Sequence, residues 1–381
     1  MNLIKTITSL IRVSIDENYI FKPQTAFTEE DYAQIYKFAK KHDVLHLIAF
    51  ALKKSGLEPE NKELSQKFQK GLLFAAYRVQ QVELAQKGAM EILEANHVPY
   101  ILLKGAVVRN YYPEPWMRTS YDVDILVKKQ DFDRAVEAFA QKGFTISKKS
   151  AYDILIIAPN EVHVELHFDF HSYSPQKQEA IPVLNIWEQA VKKGDYEYAL
   201  TDEMFYYFHI THMAKHFTIG GCGIKPFADM FLLLKKENYN KPNSYIKEIG
   251  LETFEKNVRH LFNVWFYDEK HIPITEQMED YIFSGGAYGS LKNKVAVKQV
   301  RIGSKKTYIL SRLFLEYDVL KGVFPILEKY KWLTPVFQIV RWFKVIFKGR
   351  MAWSIKELTI SGKSTQKDMD ETNDFLEKAG L

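Results

Sequence analysis

The apolar residues of the first hundred positions recur at the three- and four-residue spacing of amphipathic helices. This spacing holds within residues 1–20 and again over Ile35–Leu52. Thr28 precedes three acidic residues, and this order is typical of a helix start, where a hydroxyl caps free backbone N–H groups. A longer helix is predicted over about Leu64–Ala95. The pattern therefore predicts a helical region over residues 1–97.

The periodicity changes after Pro99, where short apolar runs alternate with helical segments. The predicted strands are Pro99–Leu103, Asp122–Val127, Phe144–Lys148, Ile154–Ala158 and Val162–Phe168, and a helix is predicted over Asp131–Lys142. Strands that alternate with helices indicate an α/β unit, which is predicted to occupy residues 98–185.

Helical periodicity returns from Ile186 and continues through most of the remaining chain. The predicted helices include Asp202–His216, Ile224–Lys236, Ile246–Asp268, Ile309–Leu320 and Val336–Phe347. Residues 186–360 are therefore predicted to form a helical domain, and the polar residues 361–381 are predicted to be a loosely held tail.

The composition indicates a folded protein of two or three domains. Of its 381 residues, 46% are hydrophobic and 26% are charged, which excludes global disorder. The single cysteine, Cys222, excludes an intramolecular disulfide and any multi-cysteine metal site. Because no basic residue lies closer along the chain than Lys225, Cys222 is not predicted to be a nucleophile.

No segment has the pattern of a signal peptide or a transmembrane span. Lys5, Arg12 and Asp16 interrupt the N-terminal helix, and basic residues interrupt the apolar stretch Trp332–Phe347. A single cysteine also fits a reducing compartment. The sequence therefore predicts a soluble, cytoplasmic protein.

Positive charge is concentrated near the C-terminal end. The whole chain carries +5, but residues 291–350 contain 14 Lys and Arg against three acidic residues, a local net charge of +11. The rest of the chain therefore carries −6. The apolar helix within this segment is expected to be a core helix with a basic edge. The alternative is weak contact between residues 291–350 and an anionic surface.

Two carboxylates are separated by one residue in a predicted strand, which places Asp122 and Asp124 on the same face. Glu165 lies on a later strand, on the same face as His163 and His167. Neighbouring carboxylates repel unless a cation lies between them. Hard oxygen ligands of this kind suit Mg²⁺ or Mn²⁺. A D-x-D pair alone is weak evidence for a metal site. The prediction of such a site therefore depends on the combination of this pair with Glu165 and with the turn described next.

The turn after the first predicted strand is a candidate phosphate-binding site. Lys104-Gly105 leaves the backbone approachable, and a short helix follows, whose N-terminus attracts anions. Arg118 offers a planar fork of donors to phosphate oxygens. The predicted nucleotide- and phosphate-binding residues are Lys104, Gly105 and Arg118, together with Ser120.

Other polar residues have structural alternatives. His209, His212 and His216 lie on one face of a predicted helix. Three interpretations are open for this face: zinc binding, packing in the core, and lining of a cleft. His167, His212 and Lys215 are predicted to line the cleft. Asp229 lies among apolar residues and is predicted to pair with Lys225 one turn earlier.

The order of these features resembles the nucleotidyltransferase fold of the DNA polymerase β superfamily. Within it, the chain resembles an uncharacterised bacterial nucleotidyltransferase family with the motifs L-K-G, Y-P, R and D-x-D-x-L-V. These are Leu103–Gly105, Tyr112-Pro113, Arg118 and Asp122–Val127 here, followed by Val164–His167, the helix His209–His216 and Phe227–Asp229. The likeness covers most of residues 28–348.

This resemblance implies an α/β fold, a small mixed sheet flanked by helical regions. It implies that Asp122 and Asp124 hold two metal ions, and that Glu165 shares the metal nearest the acceptor and helps to deprotonate its hydroxyl. The implied reaction transfers a nucleoside monophosphate from an NTP to a hydroxyl acceptor and releases pyrophosphate. Better-known members carry Gly-Ser where this chain has Lys104-Gly105.

Two alternatives remain from the sequence. Replacement of Gly-Ser by Lys-Gly favours a degenerate nucleotide sensor, and the local positive charge favours a toxin-like enzyme that modifies tRNA or protein. The acceptor is not identified: a small molecule, a glycan precursor, tRNA or a protein are all compatible.

Overall fold

The N-terminal region consists of four helices in the computed structural model, which describes residues 1–149, 152–169, 171–174, 179–182, 186–240, 243–287, 289–347 and 351–381. These helices are α1 (Leu3–Ile15), α2 (Glu29–Lys41), α3 (Leu45–Lys54) and α4 (Lys62–Ala95). Thr28 caps α2 in a reciprocal capping box with Asp31. The run Ile35–Leu52 is divided between α2 and α3 at Asp43, whose φ of +54° is incompatible with a continuing helix.

The α/β core follows, with most elements at their predicted positions. Its elements up to residue 182 are β1 (Tyr100–Leu102), α5 (Gly105–Val108), β2 (Asp122–Val127), α6 (Phe132–Gln141), β3 (Thr145–Lys149), β4 (Asp153–Ile157), β5 (His163–His167), β6 (His171–Ser174) and β7 (Glu179–Pro182). Two further strands are β8 (Ala190–Lys192) and β9 (Glu197–Leu200).

Seven of these strands form one mixed sheet in the order β3-β4-β5-β2-β1-β9-β8, and β6 pairs with β7 separately. The β2–β5 and β1–β9 pairs are parallel, and the other pairs of the large sheet are antiparallel. The fold is therefore α/β with a mixed sheet, as predicted. The sheet extends to Leu200, so the expectation that helix resumes at Ile186 is wrong. A three- and a four-residue strand are too short to show a period of two clearly.

Helices make up the rest of the described chain. They are α7 (Asp202–Phe217), α8 (Lys225–Leu233), α9 (Ser244–Glu248), α10 (Glu252–Tyr267), α11 (Pro273–Gly285), α12 (Leu291–Ile302), α13 (Lys305–Leu313), α14 (Tyr317–Val323), α15 (Thr334–Phe347), α16 (Met351–Lys363) and α17 (Gln366–Ala379). None of the described helices is long and apolar enough to cross a membrane.

The described residues form three apolar cores. The largest joins α1–α3 to α7, α8, α10 and α11 and includes the buried side chains of Ile48, Phe217 and Phe227. The second lies between the sheet and helices α4 and α6. A third, small core is formed by Leu320, Phe324 and Leu327. The first core therefore fixes the helical regions against each other, with the sheet held beside them.

The polar tail predicted at residues 361–381 is largely a packed helix. Met369, Leu376 and Ala379 of α17 are buried, and the Asn257 amide donates to the carbonyl oxygen of Lys378 at 3.0 Å. These three apolar residues lie on one face of an otherwise polar segment, so composition alone hides the amphipathic pattern. The prediction of a loosely held tail is wrong for this helix.

Candidate functional site

The predicted carboxylates meet where β2 and β5 pair in parallel. Asp122 is paired with His163, Asp124 with Glu165 and Leu126 with His167. Paired residues of a parallel ladder point to the same face of the sheet, so Asp122, Asp124 and Glu165 share one face. Val123, Ile125 and Val127 are buried on the opposite face. The alternation that the sequence shows therefore brings the three acids together.

Lys104 supplies the cation of this cluster. Its ammonium lies 2.5 Å from Oδ1 of Asp124 and 3.9 Å from Oε2 of Glu165. The backbone of Lys104 has a φ of +47°, which L-residues rarely adopt, at the turn from β1 into α5. This turn directs the lysine side chain across the face of β2.

The local charges shift the ionisation of the cluster. Burial alone would lower the pKa of Lys104, but the charges of Asp124, Glu165 and Asp122 outweigh it and raise that pKa. Burial opposes ionisation of Asp124, yet Lys104 and His167 hold its pKa well below the ordinary value. Burial and the charge of Asp124 raise the pKa of Glu165 to about 7. The same two causes raise the pKa of Asp122.

Gly105 allows the next segment to approach the turn closely. A Cβ atom at Gly105 would lie 3.1 Å from Cβ of Ser120 and 3.3 Å from its Oγ. The Arg109 guanidinium donates to the Ser120 hydroxyl at 2.9 Å, which fixes the position of Oγ. Ser120 thus lies beside the Lys104-Gly105 turn.

Arg118 is engaged with Asp229 rather than open to solvent. Its Nε and Nη2 donate to the two carboxylate oxygens of Asp229 at 2.7 and 2.9 Å, and Nη1 donates to the carbonyl oxygen of Thr119 at 2.7 Å. The Tyr112 hydroxyl also donates to Asp229 at 2.7 Å. This bidentate ion pair joins the segment before β2 to helix α8.

The predicted pair between Lys225 and Asp229 is wrong. Lys225 donates to Asp43 at 2.5 Å and to the Thr119 hydroxyl at 3.1 Å, while Asp229 belongs to Arg118. A lysine side chain one turn earlier competes poorly with a planar guanidinium that satisfies both carboxylate oxygens.

These groups surround one cavity of about 380 Å³ between the sheet, the N-terminal helices and helices α7 and α8. Its lining includes all predicted catalytic and phosphate-binding residues, together with His209, His212, Lys215 and His216. His167 lines an adjoining cavity of about 100 Å³ with Lys104, His212 and Lys215. The structure therefore brings the predicted site residues into one cleft, with His167 on its far side.

Burial lowers the pKa of each of the three helix histidines and so favours the uncharged imidazole. Nε2 of His212 lies 2.9 Å from Nε2 of His216, so one of these nitrogens carries the shared hydrogen. His209 contacts the carbonyl oxygen of Pro226 at 3.1 Å. Burial lowers the pKa of His216 to about 4 and that of His212 well below its ordinary value. A packed arrangement, one of the alternatives from the sequence, describes His209 well.

Asp43 lines the site and Arg109 supports it through Ser120, and neither residue is predicted from the sequence. Asp43 comes from the α2–α3 junction and binds Lys225, with Arg78 Nη1 at 3.6 Å. No local motif marks either residue: the Lys225 partner of Asp43 lies 182 positions along the chain, and Arg109 acts through the Ser120 hydroxyl. The interruption of helical spacing near residue 43 is the one signal in the sequence.

The donor set fits a divalent cation. Asp124, Glu165 and His167 each offer one ligand atom, and these atoms lie within 4.8 Å of one another. Two carboxylates and an imidazole are compatible with Mg²⁺ or, better, Mn²⁺. His167 Nε2 already contacts Asp124 Oδ1 at 3.0 Å. Within the described residues, Asp122 lies outside this compact set, although its charge reaches Glu165 and Lys104.

The comparison with protein families agrees with these motifs. The model of the family described as "Uncharacterised nucleotidyltransferase" matches residues 28–267, more than half of the chain. The chain belongs to this family. Nucleotidyl transfer is the activity that family membership supports. Residues 268–381 lie outside the match, which is shorter than the likeness expected from the sequence.

Two solved structures share a partial likeness. The lincosamide antibiotic adenylyltransferase LnuA, solved with lincomycin bound, is 15% identical, and the match covers 40% of this chain and 96% of that protein with a TM-score of 0.29. The antibiotic-resistance factor ANT(2'')-Ia is 9% identical, with 50% and 91% covered and a TM-score of 0.27. No curated protein matches the chain significantly.

Proposed function

We propose that this protein transfers a nucleoside monophosphate from an NTP to a hydroxyl acceptor, with release of pyrophosphate, and that the reaction depends on Mg²⁺ or Mn²⁺. One observation carries the proposal: Asp122, Asp124 and Glu165 share one face of the β2–β5 pair and line a cavity in a member of a nucleotidyltransferase family.

The acidic residues are assigned the reacting end of the cavity. Asp124, Glu165 and His167 would hold the divalent cation, and the charge of Asp122 would add to the negative field beside it. When bound, the cation would neutralise developing charge on the phosphate oxygens. Glu165 is the group assigned to accept the proton of the acceptor hydroxyl, because its carboxylate lines the cavity beside Asp124 and is the more exposed of these two acids, at 38% against 2%.

The phosphate end of the cavity is assigned to the turn between β1 and α5. Lys104 exchanges its contact with Asp124 for the nucleotide phosphates, and the Gly105 backbone and Ser120 hydroxyl lie beside it. Arg118 acts mainly by position, since Asp229 and Thr119 occupy its donors. His212 and Lys215 of α7 line the wall opposite the sheet, where the acceptor binds.

The experiment is incubation of the purified protein with each α-³²P-labelled NTP, Mg²⁺ or Mn²⁺ and a cell extract that supplies acceptors. The expected result is a labelled product with one preferred NTP and an equal release of pyrophosphate. Asp124→Asn should label nothing above background. Equal labelling by the wild type and by Asp124→Asn would overturn the proposal.

A nucleotide sensor is the second candidate, and the Lys104–Asp124 ion pair is the observation that favours it. A lysine ammonium 2.5 Å from a carboxylate oxygen occupies space that a cation would need. Calorimetry separates the two functions, because a sensor binds an NTP without releasing pyrophosphate. Stoichiometric binding heat with no pyrophosphate in the presence of extract would favour the sensor.

A further inference from the structure

Exposed apolar side chains are concentrated in the C-terminal helices, outside the segment that matches the family. Of 25 large hydrophobic side chains that are exposed among the described residues, 13 lie between Ile302 and Ile355. Scattered exposed apolar residues are normal on soluble proteins, but a concentration of them marks an interaction surface.

Four of these side chains follow one face of helix α15 and the turn before it. Trp332, Val336, Ile339 and Phe343 are 75%, 50%, 49% and 56% exposed. Val336, Ile339 and Phe343 are spaced by three and four residues, which places them on the same helix face. Trp332 lies one turn earlier. We name this set the α15 stripe.

The opposite face of α15 is already packed. Phe337 and Val340 lie against the small core of Leu320, Phe324 and Leu327. The buried Gln338 side chain exchanges hydrogen bonds with the backbone of Leu315. One face of α15 thus anchors the helix to the small core, and the side chains of the α15 stripe lie on a different face of the helix.

Basic residues flank the stripe with few acids to balance them. Lys329, Lys331 and Lys344 are exposed next to it along the chain, within the segment of net charge +11. The ammonium groups of Lys331 and Lys344 lie over the rings of Tyr317 and Phe324, at 4.7 and 4.4 Å from the ring centroids. Arg312 and Arg341 are used inside the structure: Arg312 pairs with Glu357 at 3.0 Å, and Arg341 donates to the carbonyl oxygens of Arg312 and Leu313. Among the described residues, lysines therefore supply the solvent-exposed positive charge next to the stripe.

We propose that the α15 stripe binds the surface of an anionic lipid bilayer, with the helix lying in the interface. An apolar face with lysines at its border has the chemistry of interfacial helices, in which the apolar side chains enter the headgroup boundary. Lysines near such a surface are attracted by anionic lipids. With 14 residues, α15 is about 21 Å long and does not span the roughly 30 Å hydrocarbon layer.

The composition of the stripe favours lipid over nucleic acid. Nucleic acids are bound by arginine forks and by aromatic rings that stack on bases. Among the described residues near the stripe, Arg312 and Arg341 are engaged internally, and two of the four stripe residues are aliphatic. The proposal does not depend on nucleotidyl transfer.

The test is co-sedimentation of the full chain with vesicles of phosphatidylcholine, with and without phosphatidylglycerol. We expect at least about tenfold tighter binding to the anionic vesicles, reduced by added salt. Trp332→Ser/Phe343→Ser should lose about tenfold or more of this binding. The matched control is Leu73→Ser/Tyr77→Ser on α4, which removes two other side chains, 72% and 61% exposed, and should bind like the wild type.

Three outcomes would overturn the proposal. One is equal vesicle binding by the wild type and the Trp332→Ser/Phe343→Ser variant, with both shown to be folded by circular dichroism. Another is binding to RNA with none to vesicles. The third is a dimer in solution that the same variant converts to a monomer. None of these outcomes bears on pyrophosphate release, so they are distinguishable from a failure of the proposed function.

Discussion

Lys104 connects the turn after β1 with the acids of β2 and β5. Its ammonium contacts a carboxylate that is almost fully buried, since the Asp124 side chain is 2% exposed. A buried charge without a partner is costly, so the lysine stabilises the acidic cluster in the protein without a cation. If a cation balances the charge of Asp124 instead, the Lys104 ammonium is free to contact nucleotide phosphates from the same position.

Lys104→Met tests this role. The variant leaves Asp124 with His167 as its remaining close partner, so the free energy of unfolding in the absence of divalent cations should fall by roughly 3 kcal/mol. Chemical denaturation measures the change. Lys129→Met, at an exposed lysine outside the cavity, is the control and should stay near the wild type. A Lys104→Met variant as stable as the wild type would contradict the role.

His46 gives a pH dependence that is separate from the acidic cluster. Its Nε2 lies 2.9 Å from the carbonyl oxygen of Met117, so this nitrogen carries the hydrogen. Burial lowers the pKa of His46 to about 4. The native state therefore binds fewer protons than the unfolded state between about pH 4 and 6.5, and its stability falls as the pH drops through this window.

His46→Gln keeps a donor for Met117 but removes this titration. The stability advantage of the wild type over the variant should shrink by on the order of 3 kcal/mol between pH 7 and pH 4. Urea denaturation at several pH values measures it. The interpretation fails if the difference between the two proteins stays constant over this range.

At the scale of elements, the Arg118–Asp229 pair joins the segment before β2 to helix α8. Both side chains are largely buried, with 14% and 3% exposed, and Tyr112 completes the hydrogen bonding of Asp229. The pair therefore fixes one wall of the cavity relative to the sheet.

Asp229→Asn should destabilise the protein by roughly 3 kcal/mol, because it leaves a buried guanidinium without its counter-charge. Arg118→Met/Asp229→Asn should cost less than the sum of the Arg118→Met and Asp229→Asn changes, since neither partner is left charged and alone. Chemical denaturation gives the free energy of unfolding of the wild type, the two single variants and the double variant, which together form a double-mutant cycle. Additive losses would show that the two residues act independently.

Period and register explain which elements the sequence predicts well. In β2, Val123, Ile125 and Val127 face the core while Asp122 and Asp124 line the cavity. Because of this alternation, and because α2 carries its own cap, both elements could be predicted from local pattern. β9 could not, because it has four residues and is fixed by pairing with β1 about a hundred positions earlier. The partners of Asp229 and Lys225 depend on tertiary contacts in the same way.

At the scale of the whole molecule, the cavity takes its walls from three regions of the chain. Asp43 comes from the N-terminal helices, Asp122, Asp124 and Glu165 from the sheet, and Lys225 from α8. The motifs locate the acids because each lies on a strand of clear alternation. The closing walls were not predictable, since they depend on how helices that are distant in sequence pack on the sheet.

The most direct test of the central claim is the transfer of labelled nucleotide by Asp122→Asn. The change keeps the shape of the side chain and removes one charge from the shared face of β2 and β5, so transfer should fall at least about a hundredfold with the fold intact. Asp133→Asn, at an exposed carboxylate on α6, should retain the full rate. Transfer by Asp122→Asn at the rate of Asp133→Asn would contradict the assignment of these acids as the reacting centre.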